Sequence, residues 1–157
     1  MSLPDDRRAV EPSAAQIEAL AAGGSDDGPI VMLNLLRYRE RAAYPAGFDA
    51  EPCSGREAYG RYAAVALGKV AEVHGRILWS GAARACVIAP AGEAWDDVVL
   101  VEYPSRRAFL TMVGQPDYLA AAPHRTAALA DSRLVETTPV AGLPGSDRWP
   151  TAPTGGP

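Results

Sequence analysis

The chain is poor in the residues that many common chemistries require. Its 157 residues hold two cysteines and two histidines. Cys53 and Cys86 have no CxxC spacing, which excludes a zinc ribbon or a dithiol redox pair. A reducing setting also argues against a disulfide between them. His74 and His124 lie too far apart for HxxxH or HExxH, and there is no phosphate loop and no GxGxxG. No metal and no tightly bound cofactor is therefore expected. Long hydrophobic runs are missing as well. None approaches the roughly 20 residues that span a bilayer, and the opening Met-Ser-Leu-Pro-Asp-Asp-Arg-Arg lacks the apolar stretch of a secretory signal. Basic residues are not in excess: 15 Lys and Arg stand against 19 Asp and Glu, with the arginines scattered. A nucleic-acid partner needs a basic face and is not expected. These absences together predict a cytoplasmic protein with no membrane or nucleic-acid partner.

What is present is an ordinary globular balance, 48% apolar and 22% charged, in a length that suits one domain with flanking segments. Residues 1–28 read as an N-terminal segment with a short helix. There Ser13 and Gln16 form a capping box, Ile17, Leu20 and Ala21 form a stripe, and Gly23-Gly24 is the stop. Residues 29–139 read as the domain. Pro29 to Tyr38 is its first strand, apolar on both faces, with Ile30, Met32, Asn34, Leu36 and Tyr38 on one side and Val31, Leu33, Leu35 and Arg37 on the other. The long connection Arg39 to Cys53 carries Tyr44 and Phe48 and is expected to fold down as a lid. A second capping box, Ser54 with Glu57, opens a helix whose stripe is Tyr59, Tyr62, Ala66, Val70 and Val73. Strands are then expected over Arg76–Ile88 and Trp95–Tyr103, with a hairpin link at Pro90–Ala94. A helix capped by Ser105 follows, broken at Gln115-Pro116, then a helical stretch over Asp117–Ala130 and a last strand over Asp131–Thr138. From Pro139 on, nine of nineteen residues are Pro or Gly. The tail 140–157 is therefore expected to be disordered, with Trp149 as its one potential anchor.

The order β-α-β-β-α-β predicts an α+β, ferredoxin-like antiparallel sheet with helices on one face. The first and third strands are apolar on both sides, so the open face needs a cover. A second copy packed sheet to sheet is the simplest one, with the N-terminal helix and tail as the alternative.

Several blocks are similar to one known family: Met32-Leu33-Asn34-Leu35-Leu36-Arg37-Tyr38, Gly75-Arg76-Ile77-Leu78-Trp79-Ser80-Gly81, Trp95 through Ser105, His124-Arg125, and Asp131-Ser132-Arg133-Leu134. They resemble, over about Ser13 to Pro139, the family catalogued as domain of unknown function 1330, within the dimeric α+β barrel superfamily. The resemblance implies a homodimeric barrel with a cavity between each sheet and its helices or lid. It does not fix a reaction, because the superfamily holds cofactor-independent monooxygenases, haem enzymes, lactone isomerases and binding domains. Neither histidine sits in a haem-family pattern.

Asn34 is the most informative single residue. A carboxamide inside an apolar strand must find a hydrogen bond, in a core or with a ligand. Asn34 and His124 are the candidate catalytic residues, His124 because an imidazole titrates near neutrality. Arg37 is a candidate anchor for an anionic or phenolate group. Tyr59 and Tyr62 would line an aromatic pocket, Trp79 would wall it, and Glu102 would serve as a carboxylate at a strand end. Each also has a purely structural role available, as core residue or ion-pair partner. The reading is a small-molecule-binding protein, with a cofactor-independent, monooxygenase-like reaction on an apolar or aromatic metabolite as one outcome. A non-catalytic dimeric ligand-binding or structural module is the other.

Overall fold

Hydrogen bonds of two capping boxes start the first helices. Ser13 Oγ accepts from Gln16 N while Gln16 Oε1 accepts from Ser13 N, opening α1 (Ala14–Ala22). Ser54 and Glu57 repeat the arrangement at α2 (Gly55–Glu72). The structure is a computed structural model that describes residues 8–23 and 28–140. The expected stop at Gly24 and the tail residues 141–157 with Trp149 fall outside those residues. Gly23, the C-cap of α1, has φ −68°, outside the left-handed region. That conformation is found instead at His74, φ 61°, just past α2.

Four strands follow the predicted order: β1 (Ile30–Tyr38), β2 (Arg76–Ala82), β3 (Asp97–Tyr103) and β4 (Leu129–Thr137). They form one sheet in the order β2-β3-β1-β4, every neighbouring pair antiparallel. Between β3 and β4 lie α3 (Arg106–Val113), capped by the Ser105 hydroxyl, and α4 (Pro116–Ala128), which has proline in its first turn. This is the ferredoxin-like fold. Among the described residues no helix is long and apolar enough to cross a membrane.

Three strand boundaries differ from the sequence reading by two residues or more, the first being β3, which starts at Asp97 rather than Trp95. β2 stops at Ala82 rather than Ile88, because β3 begins only at Asp97 and residues past Ala82 have no strand opposite them. β4 begins at Leu129, directly from the end of α4, since Leu129 is fully buried beside Leu36, Ala58 and Ala128.

The helices cover one face of the sheet. Ile30, Met32, Val101 and Tyr103 meet Val70 of α2 and Phe109 and Met112 of α3. Leu36 meets Ala58 of α2 and Ala128 of α4. The start of α2 presses hard on its neighbours. A Cβ at Gly55 would lie 2.3 Å from Arg39 O and 2.5 Å from Ala128 O. The backbone is tied there by Gly55 N to Arg39 O at 3.1 Å and Arg39 N to Ala128 O at 2.8 Å.

Candidate functional site

Strand alternation puts Asn34 on the helix-covered face, between Met32 and Leu36. Those neighbours are 2% and 0% exposed, yet Asn34 is only half-buried. Its amide Nδ2 donates to Val99 O at 3.3 Å and Met32 O at 3.4 Å, both long. Its register partners are Val99 on β3 and Leu134 on β4, and Leu134 is 47% exposed. The strand is therefore accessible at Asn34 where its neighbours Met32 and Leu36 are sealed. Val99 borders both main core clusters, Tyr59 packs on one of them and Tyr118 on the other.

Above the floor runs a row of tyrosines. Tyr38 meets Tyr59 at 5.4 Å between ring centroids, Tyr59 meets Tyr62 at 5.3 Å, and Tyr62 meets Tyr118 at 5.8 Å. The Tyr62 and Tyr118 hydroxyls share a 2.8 Å hydrogen bond, and Tyr38 donates to Asp97 Oδ2 at 2.8 Å. Asp97 also takes Arg56 Nη1 at 2.8 Å. Burial pushes the phenols of Tyr38, Tyr59 and Tyr62 upward, reinforced at Tyr38 by Asp97 and at Tyr62 by Tyr118. They are held as neutral hydrogen-bond donors. Arg125, on α4, donates to Val10 O at 2.7 Å, and Ser132 Oγ donates to Ala9 O at 2.9 Å, so the N-terminal segment is tied against this edge.

His124 belongs to a second cluster, built by the 39–53 connection. Tyr44 and Phe48 stack at 5.2 Å and 8°, and His124 meets each edge-on, at 5.5 and 5.6 Å. Arg61 Nη1 donates to the Tyr44 hydroxyl oxygen at 3.2 Å, and that hydroxyl lies 2.7 Å from His124 Nδ1. The Tyr44 hydroxyl and His124 Nδ1 share one hydrogen bond, its direction set by the ring's tautomer. Burial, and then the Arg61 charge, hold His124 below the ordinary histidine pKa. His124 is thus held as a neutral ring, and the connection is latched to α2 and α4.

Arg37, Trp79 and Glu102 stand on the opposite face of the sheet from Asn34. Arg37 follows Val31, Leu33 and Leu35 on that side of β1. Trp79 pairs with Leu100 and is 59% exposed. Glu102 is 4% exposed and accepts from Arg76 Nε at 2.9 Å. The structure brings Asn34, Tyr59 and Tyr62 to one side, and separates these three from them. The sequence reading misses Tyr118 and Arg61 as members of these clusters. Tyr62 and Tyr118 are 56 residues apart, beyond any local periodicity.

The family model for the domain of unknown function DUF1330 matches residues 53–138. Two crystal structures resemble the whole fold at 37% identity. The RPA0582 protein of unknown function from Rhodopseudomonas palustris has a TM-score of 0.76, with 83% of this chain and 96% of that chain covered. The methylated RPA0582 protein has a TM-score of 0.79, with 86% and 97% covered. An uncharacterized NIPSNAP domain protein from Burkholderia xenovorans is 17% identical, with 73% and 98% covered and a TM-score of 0.48. No curated protein matches the chain. On the residues matched by the model and the identity sustained across nearly the full fold, the chain belongs to the DUF1330 family.

Proposed function

We propose that this protein binds a small apolar or aromatic molecule bearing a carbonyl or hydroxyl group, in the space above Asn34, and that it does so as a two-fold homodimer. The observation that carries the binding site is the half-open Asn34 on a face otherwise sealed by Met32 and Leu36. A strand that needed only packing would hold a Leu or Val there. The carboxamide has an oxygen with no hydrogen-bond partner among the described residues, and its Nδ2 bonds are long enough to yield to a better acceptor. The Tyr59 hydroxyl also has no partner among them and supplies a donor beside the aromatic row. Such a mix of apolar wall and few polar groups is what small-molecule sites use.

The tyrosines nearest this floor are donors whose pKa values are raised, so none is a base at neutral pH. Asp97 is engaged by Tyr38 and Arg56, and His124 by Tyr44. This inventory favours binding and polarisation of a ligand over proton removal. A monooxygenase-like step would need the substrate to arrive acidic, or His124 to release Tyr44.

The homodimer rests on the other face. Val31, Leu33, Leu35, Val98 and Leu100 remain half-buried there, and Trp79 and Val135 are 59% and 45% exposed. A two-fold partner covers such a face with its own equivalent.

The test uses 2-naphthol as the probe, titrated against intrinsic fluorescence. Asn34→Ala is expected to weaken binding at least ten-fold, about 1.4 kcal/mol, and Tyr59→Phe to weaken it less, with circular dichroism unchanged in both. Binding at wild-type strength in both variants would remove the site.

A further inference from the structure

The connection between β2 and β3, residues 83–96, is unlike every other part of the fold. Its base is anchored: Ala83 N bonds Asp96 O at 2.8 Å, and Asp96 N bonds Leu36 O at 2.8 Å. Its return leg is also held, by Glu93 N to Pro90 O at 3.2 Å, Trp95 Nε1 to Glu93 Oε1 at 2.9 Å, and Arg133 over the Trp95 ring at 5.2 Å. The outward leg is not. Among the described residues nothing hydrogen-bonds to the backbone of residues 84–89. At its tip Val87 and Ile88 are 91% and 97% exposed. Two adjacent β-branched apolar residues bared to water, on a backbone with no such partners, form a template for another chain.

The molecule also carries a complementary hollow. A groove of about 310 Å³ is lined by Ala43, Pro45, Leu119, Ala122, Pro123 and Ala127, on the outer side of α4. Leu119 is 57% exposed there. Glu11 stands on its rim, fixed by Thr126 Oγ1 at 2.7 Å. The outward leg carries Arg84, exposed and opposite in sign to Glu11.

We infer that the 83–96 connection is an arm whose Val87 and Ile88 seat in the α4 groove of a second copy of this chain, with Arg84 set against the partner's Glu11. This rests on the face-to-face dimer proposed above. β2 and β4 form opposite edges of the sheet. A two-fold axis running along the strands, between two facing sheets, lays β2 of one copy over β4 of the other. The same axis keeps strand ends together. The arm leaves the end of β2, and the groove lies beside Ala127, just before β4 starts, which is the same end of the sheet. Val87 and Ile88 lie four and five residues beyond the anchored Ala83, a reach of about 13 to 18 Å when extended, enough to pass the edge of a facing sheet about 10 Å away toward its helix layer. The exchange happens twice around the axis and closes, so it does not propagate into a filament.

Cys86 sits beside the tip and is exposed, which gives a direct test. In a Cys53→Ala background, Leu119→Cys is expected to yield a covalent dimer under mild oxidation, lost when Cys86→Ser is added. The cross-link should not form in the Cys53→Ala protein alone. Separately, Val87→Ser with Ile88→Ser is expected to raise the dimer dissociation constant at least ten-fold by sedimentation. A dimeric wild type that gives no such cross-link, and whose dissociation constant is unmoved by the arm substitutions, overturns the arm and leaves the sheet-to-sheet dimer standing. A monomeric wild type overturns both.

Discussion

His124 illustrates how one side chain can tie a long connection to the body of a protein. Its Nδ1 shares a hydrogen bond with the Tyr44 hydroxyl, and Tyr44 in turn takes Arg61. A second proton on the ring would place a new cation near the Arg61 guanidinium. The folded-state pKa lies below the ordinary 6.5, so the unfolded chain binds a proton more readily than the folded one. Stability is then fully present above pH 6.5 and is lost as pH falls through the folded value. Glu136, held below its usual 4.5 by Arg106, adds a second loss of the same sign in more acid solution. The melting temperature is expected to be flat above neutrality and to fall in two stages below it. His124→Gln should abolish the first stage and leave the second, which differential scanning fluorimetry from roughly pH 2.5, well below the ordinary Glu value, to about pH 8, above the ordinary His value, checks. At this scale the sequence is half legible. Asn34 is visible because it interrupts an apolar strand, and Tyr44 and Phe48 are visible as aromatics in a loop. Arg61 and Tyr118 give no local signal, because their meaning lies in partners brought together only by the fold.

Elements are more legible than their limits. Both capping boxes are written in consecutive letters, and both form. The β2 boundary is not legible, because a strand ends where its partner ends and Val87-Ile88 reads as strand by composition alone. The close approach at Gly55 is likewise invisible in sequence. It is a tertiary contact of α2 with the ends of β1 and α4, made where only a hydrogen fits. Gly55→Ala is expected to destabilise by more than about 2 kcal/mol through this overlap. Gly60, inside the same helix, is the control, because a methyl group there would meet nothing within 4 Å. Gly60→Ala should stabilise by about 0.5 to 1 kcal/mol through helix propensity. Urea unfolding of the two variants should therefore move the midpoint in opposite directions.

The order of the elements carries the fold of the whole molecule, since a β-α-β-β-α-β chain has few ways to close. The two-sided apolar character of β1 and β3 carries the argument for a partner. Leu100, opposite Trp79 in the middle of the open face, is the place to test it. Leu100→Glu is expected to give a monomer by sedimentation with its circular dichroism intact, because the side chain is half-buried in the single chain and would be dehydrated only in the pair. The central position of β1 has one more consequence. It pairs with β3 on one side and β4 on the other, yet its residues 30–38 lie ahead of the family match at 53–138. A recombinant fragment trimmed to those limits would keep a β2–β3 hairpin and a solitary β4 with nothing to join them. It should emerge insoluble, and gene boundaries for expression belong upstream of Ile30.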